Sequence, residues 1–343
     1  MAGYSRTEDG GTADMIYLSI LAGLLLLLAG GEFLVRGAVA VAKRLGVSPL
    51  LIGLTLVGFG TSTPELMASV QAALQGSSGI AVGNVVGSNI ANILLILGLA
   101  AAIIPVPVDR GALRRDGFVA VAAAVLATAF CLIGSFDRIV GGVFVLLLAG
   151  YIYWAYRTEQ VEIAATGHAQ HADGAATIPS TGLLPGVLMA LGGLAAIIFG
   201  ADLLVGGAIV LAERVGVSDE VIGLTLVAVG TSLPELVTSV MAALRRQPEL
   251  AFGNIIGSNI YNVFGILGVT ALVKPIPAPP QIAAFDTWVM VAVTLLLILF
   301  AVTSSRIKRW EGLVMLALYA AYLGVQTSPF LRGAIGLTLP AAG

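Results

Sequence analysis

Apolar residues run along this chain in long blocks, separated by short polar and basic clusters. A helix needs about 20 apolar residues to cross the hydrocarbon core of a bilayer. Ten segments of that kind can be read, at 15–42, 47–75, 79–104, 115–134, 139–157, 183–212, 218–244, 250–273, 284–304 and 309–327. The pattern predicts an all-α membrane protein of ten transmembrane helices. Residues 1–14, Gly-rich and acidic without the basic start of a signal peptide, are expected to precede the first span outside the cytoplasm. Five spans fill 15–157 and five fall in 183–343. The polar stretch 158–182 is expected to be a cytoplasmic linker, and its His168 and His171 read as solvated loop residues.

Composition narrows the solvent. Only 10% of the 343 residues are charged, against about 25% in soluble domains, so most of the surface must face lipid. The net charge of −2 and the scattered basic clusters give no nucleic-acid face. The lone Cys131 excludes an intrachain disulfide and a cysteine metal cage. Alternate loops divide Lys and Arg unequally. Lys43, Arg44, Arg110, Arg114, Arg115, Arg157, Arg245, Arg246, Arg306, Lys308 and Arg309 fall in one set, and Arg6, Arg138, Arg214, Lys274 and Arg332 in the other. The positive-inside rule puts the first set in the cytoplasm and both termini outside, in a cell (inner) membrane. Tyr151, Tyr153, Trp154, Tyr156 and Trp310 read as interfacial anchors.

The chain repeats itself at an offset of 170 residues. Gly46–Pro107 aligns without a gap on Gly216–Pro277, with about 34 of 62 positions identical, far beyond shared apolarity. The copies read GLTLVGFGTSTPELMASVQAAL and GLTLVAVGTSLPELVTSVMAAL, then AVGNVVGSNIANILLILG and AFGNIIGSNIYNVFGILG. Five spans per half is an odd number, so the second copy enters with opposite polarity. Inverted repeats place a shared site near the bilayer midplane.

The polar residues of each copy fall where water is scarcest. Thr61, Ser62 and Glu65 lie near the centre of the second span, and Thr231, Ser232 and Glu235 near that of the seventh. A mid-bilayer carboxylate costs roughly 2.5–3.5 kcal/mol on insertion scales. Spans 2, 3, 7 and 8 carry no Lys or Arg away from their ends, which weakens a purely structural ion-pair reading. Pro64 and Pro234 deprive the carbonyls of Gly60 and Gly230 of a helical donor. Carboxylates, hydroxyls and freed carbonyls make an all-oxygen site suited to hard cations such as Ca2+, without the soft ligands of zinc or copper. Asn84, Ser88 and Asn92 share one helix face, as do Asn254, Ser258 and Asn262. Such groups singly are more often packing contacts than ligands. Gly83 with Gly87, and Gly253 with Gly257, form pairs that allow close helix approach. Glu32 and Asp202 also correspond at the offset; helix-end solvation, or an ion pair with Arg36, is the plainer reading than a role at a pathway mouth.

At the G-T-S-x-P-E and G-N-x-x-G-S-N motifs, each present twice, the chain closely resembles the prokaryotic sodium/calcium exchangers of the cation/calcium exchanger superfamily. The resemblance spans nearly the whole sequence. It implies a transporter rather than an enzyme, with transported Ca2+ and Na+, no cofactor, no nucleic-acid partner and no obligate protein partner. It implies ligation by Glu65, Thr61, Ser62, Ser88 and Asn92, by Glu235, Thr231, Ser232, Ser258 and Asn262, and by the carbonyls of Gly58 and Ala228. It further implies that spans 1 and 6 slide across the rest. Some relatives, including potassium-dependent ones, have Asp where Asn262 stands. With two central carboxylates, potassium-independent, electrogenic export of Ca2+ against Na+ is expected. A H+/Ca2+ antiporter is the alternative, disfavoured because Gly87 and Gly257 stand where proton-coupled relatives are expected to carry Glu.

Overall fold

In the computed structural model, which describes residues 7–166, 182–214 and 228–328, nearly every residue is helical. Lipid offers no partner for backbone N–H and C=O groups, so a spanning chain must pair them internally. The helices in order are α1 (Thr7–Leu45), α2 (Pro49–Thr61), α3 (Thr63–Leu74), α4 (Ser78–Ile103), α5 (Arg110–Ile133), α6 (Arg138–Thr166), α7 (Leu183–Arg214), α8 (Ala228–Thr231), α9 (Leu233–Leu244), α10 (Pro248–Val273), α11 (Ile282–Ser304) and α12 (Arg309–Thr327). Among the described residues, seven helices are singly long and apolar enough to cross a membrane, and the bent pair α2–α3 makes an eighth when counted as one span. α9 is a shorter apolar helix, and α12 has 19 residues. The first part of the predicted seventh span, the two linker histidines and most of residues 1–14 lie outside the described residues.

Three expectations need correction. Helix α6 continues to Thr166, so the linker expected from 158 begins later. Tyr151 is no interfacial anchor. It is buried and donates a hydrogen bond to Asp116 Oδ1 at 3.1 Å, whereas Tyr153, Trp154 and Tyr156 are exposed as predicted. Arg115, counted above as a loop charge, lies inside α5, buried, with Nε 2.6 Å from Asp116 Oδ1.

Packing sorts the helices into centre and edge. The apolar window of α10 is 83% buried and that of α4 72%, against 22% for α7 and 28% for α6. Helices α1 and α7 lie along each other through glycines spaced seven apart on both: Gly23, Gly30 and Gly37 against Gly186, Gly193, Gly200 and Gly207. A Cβ at Gly37 would stand 2.3 Å from Ala190 N, and one at Gly193 2.4 Å from Leu34 N. At Gly23, Gly30, Gly37, Gly193 and Gly200 a Cβ would come within 3 Å of the facing backbone, so no side chain larger than hydrogen fits there. The expected close approach also holds at Gly253 and Gly257, where a Cβ would meet Leu50 O at 2.4 Å and Leu54 O at 2.3 Å. Among the described residues, a Cβ at Gly83 would meet Ile282 Cδ1 at 3.4 Å, and one at Gly87 nothing within 4 Å.

Two small ladders join the halves. β1 (Val106–Pro107) and β2 (Ser135–Phe136) flank α5, while β3 (Ile276–Pro277) and β4 (Arg306–Ile307) flank α11. β1 pairs with β4, and β2 with β3, both antiparallel. The start of α5 therefore lies beside the end of α11, and the two helices run in opposite directions.

Candidate cation site

Both motif helices break at the same residue type. Ser62 (φ −83°, ψ 9°) ends α2, and α3 leaves at 43° to it; Ser232 (φ −90°, ψ 7°) takes the same conformation before α9. Pro64 and Pro234 sit in the first turn of the new helix, where a missing N–H costs nothing. Glu65 and Glu235 also fall in that first turn, where the helix dipole favours negative charge. The break thus turns an awkward intramembrane carboxylate into one aimed along a supporting dipole.

The two carboxylates meet through crossed hydroxyls. Ser62 Oγ donates to Glu235 Oε1 at 2.7 Å, and Ser232 Oγ donates to Glu65 Oε1 at 3.3 Å. Each serine thus serves the glutamate of the opposite half, and the two glutamates lie near enough to feel each other's charge. Both are 1% exposed. Ser88 Oγ lies 3.4 Å from Ser232 Oγ, and Ser258 Oγ donates to Gly58 O at 3.2 Å. Asn92 and Asn262 are buried one turn further along α4 and α10.

Of the expected set, Thr61, Ser62, Glu65, Ser88, Asn92, Ser232, Glu235, Ser258 and Asn262 are all buried, and hydrogen-bond contacts join Ser62 to Glu235 and Ser88 through Ser232 to Glu65. Thr231 is half-buried at the end of α8, and the backbone of Ala228 begins that helix. The Gly58 carbonyl is already engaged, accepting from Ser62 N–H at 3.2 Å, Ser258 Oγ at 3.2 Å and Thr61 Oγ1 at 3.3 Å. Asn84 and Asn254 turn away from the glutamate carboxyls to brace the helices that carry them. Asn84 Nδ2 donates to Ser69 Oγ at 2.9 Å and Glu65 O at 3.1 Å; Asn254 Nδ2 donates to Ser239 Oγ at 2.9 Å and Glu235 O at 3.4 Å.

Seven buried side-chain oxygens lack a hydrogen-bond partner among the described residues, and four of them belong to the glutamates and asparagines of this region: Glu65 Oε2, Glu235 Oε2, Asn92 Oδ1 and Asn262 Oδ1. They come as two equivalent pairs from the two halves. An unpaired buried polar atom costs about 1–3 kcal/mol, and four acceptors with no donor invite a cation. Among the described residues no three His, Cys, Asp or Glu side chains cluster; the donors are two carboxylates with amide and hydroxyl oxygens, a hard-cation set.

A cavity of about 260 Å³ opens beside the breaks, lined in part by Pro64, Asp202, Gly230, Thr231 and Pro234. Glu32, the counterpart of Asp202, instead meets Arg36 at 2.5 Å and also pairs with Arg245 at the end of α9. The expected Glu32–Arg36 pair is present, but the partner from α9 was not foreseen. Sequence reasoning also passed over Asn89 and Asn259, which contact each other's backbone at the centre; their recurrence at the 170-residue offset was the available signal.

The sequence matches the profile of the family described as sodium/calcium exchanger protein over residues 15–157 and 185–328. It is 38% identical to the sodium/calcium exchanger MaX1 of Methanosarcina acetivorans, across 90% of this chain and 97% of that protein. It is 37% identical to the inner membrane protein YrbG of Escherichia coli, across 81% of this chain and 86% of that protein. Among solved structures it is similar to the sodium-calcium exchanger NCX_Mj soaked with 2.5 mM Na+ and 0.1 mM Ca2+, with TM-score 0.79, 36% identity, and coverage of 91% of this chain and 99% of that one.

Proposed function

Because the chain belongs to the sodium/calcium exchanger protein family, we propose that it exports Ca2+ in exchange for inward Na+ by alternating access, without K+ and with net movement of charge. The observation that carries this reading is the set of four partnerless oxygens, two from carboxylates and two from amides. Two carboxylates neutralise one Ca2+ or two Na+, so any further Na+ carries net charge through the cycle. NCX_Mj has been soaked with Na+, Ca2+ and Sr2+, and the same hard-cation chemistry applies to the oxygens here.

The working architecture is ten spans in two inverted halves. The antiparallel course of the equivalent helices α5 and α11 supports inversion, as does the crossed service of each glutamate by the other half's serine. Without Arg115, ten basic residues against five still favour cytoplasmic loops on the Arg245 side and termini outside. The glycine seam makes α1 and α7 a close pair, suited to moving as one body across the remaining helices.

Na+-gradient-driven Ca2+ uptake into proteoliposomes, with the pH gradient held at zero and K+ absent, tests the reading. Glu65→Gln and Glu235→Gln should each lower uptake about 100-fold, the scale expected when one charge of a buried site is removed. Full activity in either variant overturns the site. Uptake driven by a pH gradient alone overturns sodium coupling.

A further inference from the structure

The cation reading requires Asn92 and Asn262 to face the site with oxygen. Nothing in an asparagine's own shape ensures this, because its amide can turn over and present an amino group that repels a cation. The orientation must be imposed from outside the ligand.

Two neighbours impose it. Asn89 Nδ2 lies 3.2 Å from the backbone carbonyl of Asn259, and Asn259 Nδ2 lies 3.3 Å from the backbone carbonyl of Asn89. A backbone carbonyl can only accept, so each of these amides must turn its amino end to the opposite helix. The sulfur of Met290, 3.6 Å from Asn89 Nδ2, accepts there too. The oxygen ends are thereby fixed as well. Asn89 Oδ1 accepts from Asn262 Nδ2 at 3.0 Å, and Asn259 Oδ1 accepts from Asn92 Nδ2 at 3.0 Å. Each ligand amide has its amino group drawn away, and its oxygen is left buried and unpartnered. The whole chain of donors and acceptors follows from two carbonyls that cannot donate.

We propose that Asn89 and Asn259 are positioning residues that set the polarity of the ligand amides, each acting on the opposite half: Asn89 on Asn262, and Asn259 on Asn92. This rests on the exchanger reading above. The arrangement makes correct ligand orientation in one half depend on the other, so neither amide oxygen faces the site until both halves are docked at α4 and α10. A doubly charged ion gains more from an oriented amide dipole than a singly charged one, so Ca2+ depends on the clamp more than Na+ does.

The test uses the chemistry of the ligand itself. In the full-length protein, Asn89→Ala frees Asn262 to turn over, and the apparent Km for Ca2+ should rise about tenfold, with the maximal rate and the Na+ half-saturation changing much less. A carboxylate has oxygen at both ends and cannot present the wrong one. In an Asn262→Asp background, therefore, Asn89→Ala should shift the Ca2+ Km less than about twofold, a coupling that a double-mutant cycle reads directly. The mirror pair, Asn259→Ala with and without Asn92→Asp, repeats the measurement should one variant fail to fold. Equal Ca2+ Km shifts in the Asn and Asp backgrounds, or no shift at all, overturn the positioning role while wild-type transport stands. Failure of wild type to move Ca2+ under a Na+ gradient overturns the exchanger reading instead.

Discussion

Asp116 and Asp286 stand 170 residues apart, and each accepts a hydrogen bond from a tyrosine of the following helix, Tyr151 at 3.1 Å and Tyr322 at 2.9 Å. Their other neighbours differ. Asp116 holds the buried guanidinium of Arg115 in a two-point pair, at 2.6 Å from Nε and 2.9 Å from Nη2. Arg115 also donates to Ala155 O at 3.3 Å. At the position matching Arg115 the second half has Phe285, stacked on Tyr322 with centroids 6.4 Å apart, and Asp286 is met by Gln326. The surroundings of Glu32 and Asp202 differ in the same way. Glu32 is held by two arginines, whereas Asp202 lines a cavity, with Gly206 and Gln75 at the positions matching Arg36 and Arg245. At the centre, by contrast, Glu65 and Glu235, Asn92 and Asn262, and Ser62 and Ser232 have matching contacts. A site shared by both halves constrains them equally. The flanks lie outside that shared site and differ.

The largest effect expected from this contrast is on stability. Asp116→Asn leaves the Arg115 charge buried without its counter-ion and should cost about 3–5 kcal/mol. Asp286→Asn exchanges hydrogen bonds around a polar group and should cost about 1–2 kcal/mol. Thermal unfolding of the two variants in one detergent measures the difference. Equal losses would mean that the two flanks are energetically alike despite their contacts.

The contrast also marks where the sequence could be read. Glu65, Glu235 and the hydroxyls beside them stood out because polar groups in an apolar run need a reason, and their repetition supplied it. Tyr151 and Arg115 were misplaced because an aromatic cluster and a basic cluster look alike along the chain whichever face of the helix they occupy. Burial is settled by a neighbouring helix, here the meeting of α5 and α6. Asn89 and Asn259 lie one position off the Asn84–Ser88–Asn92 stripe and its counterpart, so helical spacing sets them aside. Their contacts cross between halves, where spacing within one helix says nothing. The local geometry shifts as well, since the helix widens into i→i+5 turns at Asn92–Leu97 and Tyr261–Leu267. The seven-residue glycine spacing in α1 and α7 was present in the sequence, but only the distances across the seam give it meaning.

A smaller effect should follow from making the surroundings of Glu32 and Asp202 alike. Among the described residues a Cβ at Gly206 meets nothing within 4 Å, and Gly206→Arg places a guanidinium one turn from Asp202, as Arg36 is from Glu32. The new charge offsets that of Asp202 and repels arriving cations. Steering of this kind alters association rates by roughly tenfold or more at low ionic strength and fades as salt screens it. Ca2+ uptake by Gly206→Arg should therefore fall about tenfold in dilute buffer and recover towards wild type when an impermeant salt is added. Gly206→Ala should transport normally. A deficit that persists at high salt would trace to packing and not to charge, and the electrostatic difference between the Glu32 and Asp202 surroundings would then not matter for transport.

The smallest effect concerns Arg245. Its side chain is 47% exposed, that of Arg36 is 48% exposed, and Glu32 keeps the Arg36 pair when Arg245 is removed. Ion pairs this open to solvent contribute about 0–1 kcal/mol, because water screens the attraction and two long side chains lose freedom in making it. Arg245→Gln, which installs the residue found at the matching position 75, should lower stability by less than about 1 kcal/mol, and added salt should erase even that. Unfolding of wild type and Arg245→Gln across a salt series decides the point. A salt-independent loss of about 3 kcal/mol or more would match a desolvated pair. Glu32 and its two arginines would then belong with the buried Arg115–Asp116 network, and the line between a constrained centre and freely varying flanks would have to be drawn further out.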